Sequence, residues 1–202
     1  MAALYDPAVR RVEEAGLAER RRVLLADASG RTVEIGAGTG LNLEHYPAAV
    51  TELILTEPDR SMAKKLRKKL GRSRRDAQVV EAAGERLPFQ DGSVDTVVAT
   101  LVLCTAPDPQ AVVGEIVRVL KPGGRFLFLE HVRAEDDPRL ARRQDRLAPI
   151  TNYIFCGCHP NRRTLATIES SPLVIENVER GELPKNVTPA FQRPMIVGAA
   201  RR

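Results

Sequence analysis

Short apolar runs alternate with stretches of helical period along this chain from Thr32 onward. The runs Thr32–Ile35, Leu53–Thr56, Gln78–Glu81, Val94–Thr100 and Arg125–Glu130 read as strands. Four of them are dense in Val, Ile, Leu or Phe, as strands covered on both faces should be; Gln78–Glu81 carries the weakest pattern. The helical stretches between them have readable ends. Ser61 is placed to cap a helix through Met62-Ala63-Lys64-Lys65-Leu66, and Gly71 to stop it. Asp108-Pro109 opens another, whose apolar positions Val112, Val113, Ile116, Val119 and Leu120 keep the helical period. Lys121-Pro122-Gly123-Gly124 then turns the chain into the next strand. Alternation of this kind predicts an α/β fold with a doubly wound, mostly parallel sheet between two helical layers.

Two further strands are expected at Leu173–Val178 and Met195–Gly198, as an antiparallel hairpin at a sheet edge, bringing the sheet to seven strands. The loop Gly181–Pro194 between them is polar and rich in proline. Residues 1–31 read as a helical N-terminal extension that packs through Leu17, Val23, Leu24 and Leu25, and residues 32–202 as a single domain.

Composition supports this picture. A chain of 202 residues with 43% hydrophobic content can bury a sizeable core in one domain. It has no apolar run of about 18 residues, so no membrane-spanning helix is expected. Met1–Arg22 is charged throughout and lacks the apolar stretch of a signal peptide, so a cytoplasmic address is expected. Three cysteines, Cys104, Cys156 and Cys158, imply no disulfide framework. The net charge of +5 comes from local runs such as Arg20-Arg21-Arg22 and Arg72–Arg75, which read as solvated helical faces. With aromatics at 4% and no Trp, stacking platforms for single strands are poorly supplied, and nucleic acid is not expected as a partner. Contact of the basic runs with a membrane surface stays open, as does the oligomeric state.

The chemistry concentrates beyond the ends of the predicted strands, where open parallel sheets bind ligands. Glu34-Ile35-Gly36-Ala37-Gly38-Thr39-Gly40 follows the first strand, with glycine at every second position. Such a backbone can lie flat against a ligand, with a helix expected from about Gly40–Leu41. Glu57-Pro58 ends the second strand, about 20 residues beyond the turn, where an acid can accept hydrogen bonds from both ribose hydroxyls. Ala82-Ala83-Gly84-Glu85-Arg86-Leu87-Pro88 precedes the fourth strand, and Thr100-Leu101-Val102-Leu103-Cys104 follows it.

These motifs resemble those of class I S-adenosylmethionine-dependent methyltransferases, and the resemblance implies a Rossmann-like fold and S-adenosyl-L-methionine as cofactor. It places Glu34, Gly36, Ala37, Gly38, Thr39, Gly40, Glu57, Pro58, Ala83, Gly84, Glu85, Thr100, Leu101 and Val102 around that cofactor. Many relatives carry Asp where this chain has Ala83, so the adenine contact falls to the backbone of Ala83 and Gly84 or to Glu85. Thr100–Cys104, Phe128-Leu129-Glu130-His131-Val132 and Phe155-Cys156-Gly157-Cys158 look like the thiol methyltransferases of animals and their bacterial relatives. That subgroup implies a small apolar thiol as acceptor. Other members of the fold methylate O, N or C atoms of quinone-like, phenolic or lipid acceptors, and a cofactor-binding protein without turnover is a third reading.

Methyl transfer is an in-line displacement, so positioning is the main task of the protein. A thiol reacts as thiolate with little help; an oxygen or nitrogen acceptor more often needs a base. His131, after the fifth strand, is the candidate base, with structural hydrogen bonding as the alternative. Tyr5 and Asp6 are candidates for a lid over the site, or a frayed terminus. Cys156-x-Cys158-His159 is too tightly spaced for a zinc pair, so no metal is expected. Its cysteines would line the acceptor pocket or fill the core.

Overall fold

The computed structural model describes residues 10–154 and 157–202. Its sheet contains β1 (Gly30–Ile35), β2 (Val50–Thr56), β3 (Gln78–Val80), β4 (Val94–Thr100), β5 (Leu120–His131), β6 (Val174–Glu182) and β7 (Pro194–Arg201). The spatial order is β3-β2-β1-β4-β5-β7-β6. β1 to β5 pair in parallel. β7 lies antiparallel between β5 and β6, so the expected hairpin is present with β6 at the edge. Both hairpin strands run longer than their apolar patterns suggest. β6 is exposed along most of its length, and an exposed edge strand carries little apolar alternation to read.

Among the described residues, five α-helices, α1 (Ala18–Leu25), α2 (Arg60–Leu70), α3 (Pro109–Val119), α4 (Pro138–Ile154) and α5 (Thr164–Glu169), accompany the sheet. A π-helical turn at Glu13–Leu17 leads into α1. α3 begins as its sequence predicts: the Asp108 carboxylate accepts from the amides of Gln110 and Ala111, and Pro109 follows it. The cap of α2 is Asp59 rather than Ser61. Asp59 has the extended backbone a cap requires and accepts from the Ser61 and Met62 amides at 2.8 and 2.9 Å. Ser61 sits one step too far inside the first turn. The helix expected from Gly40 is also corrected. Only a single 3₁₀ turn, Leu43–His45, forms there, because Tyr46 must be extended ahead of Pro47. The Lys121–Gly124 turn is absorbed into β5 as a bulge, where pairing jumps from Val94 with Leu120 to Thr96 with Arg125.

Alternation along the strands divides the core. Val33, Ile35, Ile54, Val97, Phe126 and Phe128 pack on one face with Val112, Val113, Ile116 and Val119 of α3. Leu53, Leu55, Val98, Leu127 and Leu129 pack on the other with Leu24 and Leu25 of α1 and Leu66 of α2. Three layers result. Strand order reverses between β1 and β4, and ligands bind such sheets outside the carboxyl ends of the strands at that point. The glycine turn, Glu57, the Leu101–Cys104 loop and His131 all lie at those ends.

Candidate active site

Gly36, Gly38 and Gly40 all have positive φ, at 61, 57 and 83°. Two of these positions differ in kind. A Cβ on Gly36 would stand 2.8 Å from the Val102 side chain, whereas one on Gly38 would meet nothing within 4 Å. Gly36 therefore lets the loops after β1 and β4 touch, and Gly38 faces open space. The Ala37 amide donates to the Thr56 carbonyl at 2.9 Å, tying the turn to the end of β2. There the buried Glu57 carboxylate accepts from the Gly38 amide at 2.8 Å and the Asp59 amide at 2.9 Å. Burial raises the Glu57 carboxyl above its ordinary 4.5, and these two amides offset part of that rise. Thr39 is buried within the turn and Pro58 is exposed beside Glu57. An open glycine rim beside a buried carboxylate fits a ligand that carries both a polar backbone and a ribose.

Glu34 serves the same turn from beneath. Its carboxylate accepts from Asn42 Nδ2 at 2.9 Å and the Tyr46 hydroxyl at 2.7 Å, and burial raises its pKa against them. Asn42 in turn meets Thr100 Oγ1 at 3.0 Å and Arg21 at 3.0 Å. Arg21 also donates to Thr100 Oγ1 at 2.7 Å and pairs with Glu13 at 3.1 Å. Arg21 is only 3% exposed, which corrects its reading as part of a solvated basic run. A signal existed. Arg21 keeps helical spacing with Leu17, Leu24 and Leu25, all buried.

On the far side, Ala83 is exposed, Gly84 is buried against Ile35 and Val112, and Glu85 accepts from the Asp108 amide at 3.4 Å. After β4, Leu101 has φ 60°, the one non-glycine residue with positive φ among the described residues. The Glu130 carboxylate gathers the amides of Val102, Leu103 and Cys104 at 2.9, 2.9 and 3.1 Å. Glu130 is fully buried, and burial pushes its pKa up to about 7. The signal for it in the sequence is an acid directly after the apolar run Phe126–Leu129.

His131, at the end of β5, does not stand alone. Its Nδ1 lies 3.3 Å from Cys158 Sγ, and its Nε2 is buried without a partner. Cys104 completes a cluster whose ligand-capable atoms all fall within 4.8 Å of one another. Cys158 is held below the usual thiol range by hydrogen bonding to Cys104, with His131 adding to it, while Cys104 is raised. A cleft of about 310 Å³ opens beyond His131, lined by Arg133, Glu135, Pro138, Ala141, Arg142 and Arg163. Arg133 and Arg163 are already paired there, with Asp145 and Glu135. Tyr5, Asp6 and Cys156 lie outside the described residues. No helix among the described residues is long and apolar enough to cross a membrane.

A methyltransferase-domain family model matches residues 33–128, from β1 through most of β5. The chain is 34% identical to thiol S-methyltransferase TMT1A of Homo sapiens over 83% of its own length and 69% of that relative. It is 31% identical to phosphatidylethanolamine N-methyltransferase of Cereibacter sphaeroides, over 75% of this chain and 74% of that one. The fold superimposes on a putative methyltransferase from Bacillus halodurans with a TM-score of 0.74, covering 92% of this chain and 97% of that one at 14% identity. With the glycine turn, the acid after β2 and this sheet order in place, the chain belongs to the class I S-adenosylmethionine-dependent methyltransferases.

Proposed function

We propose that this methyltransferase acts on the sulfur of a small, apolar thiol. The observation that carries the reading is the identity with a thiol S-methyltransferase over 83% of the chain. The residues after β4 agree with it: Leu101 and Val102 are partly exposed apolar side chains, backed by the buried Leu103 and Cys104.

In this reading Gly36, Ala37, Gly38, Thr39 and Gly40 cradle the methionine portion of the cofactor, with Glu34 bracing the turn. Glu57 accepts from the ribose hydroxyls and Pro58 flanks them. Ala83, Gly84 and Glu85 border the adenine, with backbone groups in place of a side-chain carboxylate. Thr100, Leu101 and Val102 close the methionine end. The bound cofactor supplies a methyl carbon already activated by a sulfonium. The acceptor sulfur would take that methyl group in line as its bond to the sulfonium breaks, with the thiol proton passing to water. A thiol of ordinary pKa, about 8.5, is a few per cent thiolate at pH 7, so orientation carries most of the catalysis. No base is required, which leaves His131 free for another task.

A second reading, N-methylation of a lipid amine, draws on the likeness to the phosphatidylethanolamine enzyme. Turnover of a panel of small thiols, phenols, amines and aminophospholipids with labelled cofactor tests both. Methylation of thiols is the expected result. Labelling of amines or phenols but not thiols overturns the proposal, and cofactor binding without turnover of any acceptor would reduce the chain to a binding protein.

A further inference from the structure

We propose that Cys104, His131 and Cys158 form a binding site for one soft divalent cation of the zinc class. The three residues come from separate places: the loop after β4, the end of β5, and the segment between α4 and α5. No linear spacing announces them. Their ligand-capable atoms nevertheless fall within 4.8 Å of one another, with both cysteines buried and His131 half-buried. His131 Nδ1 is 3.3 Å from Cys158 Sγ, and Nε2 is buried with no hydrogen-bond partner. A buried imidazole nitrogen left without a partner is uncommon, and metal ligation is one recognised use of such a ring.

Both cysteines are free, and the backbone around them is anchored before any ion arrives. The Cys104 amide donates to Glu130 at 3.1 Å, and the Cys104 carbonyl accepts from the His159 amide at 2.8 Å. Arg162 clamps the same loop through the carbonyls of Leu103 and Ala106, at 2.5 and 2.6 Å. The two cysteine-bearing segments are therefore stitched together by groups other than the thiols. Such a site requires little rearrangement to close on an ion.

Donor chemistry selects the ion class. Two sulfurs and one imidazole suit zinc and other thiophilic metals, whereas magnesium and calcium demand oxygen ligands. The Glu130 carboxylate, beside Cys104, is taken up by three backbone amides. Three protein ligands leave a tetrahedral ion one position for water or an exogenous thiolate.

The test uses the full chain, reduced and freed of metal with a chelator, then titrated with Zn²⁺ against a chromophoric competitor. One zinc per chain is expected. Substitution with Co²⁺ should give thiolate-to-metal charge transfer and the visible absorption of a tetrahedral site. Cys104→Ser and Cys158→Ser should each weaken binding more than roughly 100-fold, beyond the loss of an outer-shell partner. His131→Ala serves where a serine variant fails to fold, with circular dichroism as the check, and should also lose tight binding. No uptake by the folded, reduced chain overturns the site. So does stoichiometric uptake unchanged in these variants, or a thiol count showing that Cys104 and Cys158 pair with each other in the presence of zinc.

Discussion

At the scale of single residues, neighbouring glycines have different jobs, and substitution separates them. Gly36→Ala should drive a methyl group into Val102 as well as strain a positive φ, costing about 2–4 kcal/mol of stability together with cofactor affinity. Gly38→Ala meets open space and should cost only the strain, about 1–2 kcal/mol, while weakening cofactor binding by crowding the cleft. Thermal unfolding and calorimetry distinguish the two. Glu57 makes the site sensitive to acid. Burial raises its pKa above 4.5, so on acidification it takes up a proton while exposed glutamates are still charged. Because the folded pKa lies above the unfolded one, protonation stabilises the free protein; that gain is complete below about 4.5 and disappears as pH rises through the folded value. In the role proposed for Glu57, acceptance from ribose hydroxyls, cofactor binding should change in the opposite sense, since those hydroxyls need the carboxylate. The thermal shift produced by S-adenosylmethionine should therefore shrink on acidification before exposed glutamates titrate, and Glu57→Gln should flatten that dependence.

Between elements, buried polar groups do the joining. Arg21 links α1 to the ends of β1 and β4 through Asn42 and Thr100. Arg21→Ala strands Glu13 and two hydrogen-bonding side chains, and a loss of about 3–5 kcal/mol in denaturant unfolding is expected. Glu130 performs the corresponding task for the loop after β4. Glu130→Ala should leave three amides unbonded, and hydrogen exchange at Val102, Leu103 and Cys104 should accelerate well ahead of exchange in β4. Much of this level was legible in the sequence. Four of the five parallel strands were readable because burial on both faces concentrates Val, Ile, Leu and Phe, whereas β3, an edge strand without a buried residue, carried the weakest pattern. Asp108-Pro109 was readable because its cap is local. Asp59 escaped because Ser61 is an equally good cap by residue type, and only the backbone decides between them. The Cys104–His131–Cys158 cluster escaped for a different reason: its members meet through tertiary packing, with no shared spacing.

For the whole molecule, the sheet order explains why cofactor and acceptor could be read unequally. The residues proposed for the cofactor lie in turns directly following β1, β2 and β4, each carrying its own local motif. The side proposed for the acceptor, toward β5, the Cys158 segment and the C-terminal hairpin, rests on long-range pairing. Core packing binds these halves, and Phe128→Ala should cost about 3–5 kcal/mol by emptying a site at the centre of the sheet. The position of β7 has a consequence for biosynthesis. β6 leaves the ribosome first, yet it can join the sheet only through β7, which inserts between it and β5. Until β7 emerges, the nascent chain carries β5 as an open edge, with unpaired backbone from Arg125 to His131 beside a finished parallel sheet. Folding of this domain is thus held back until β7 emerges, and its vulnerability to misassociation is greatest in the interval between the emergence of β5 and that of β7.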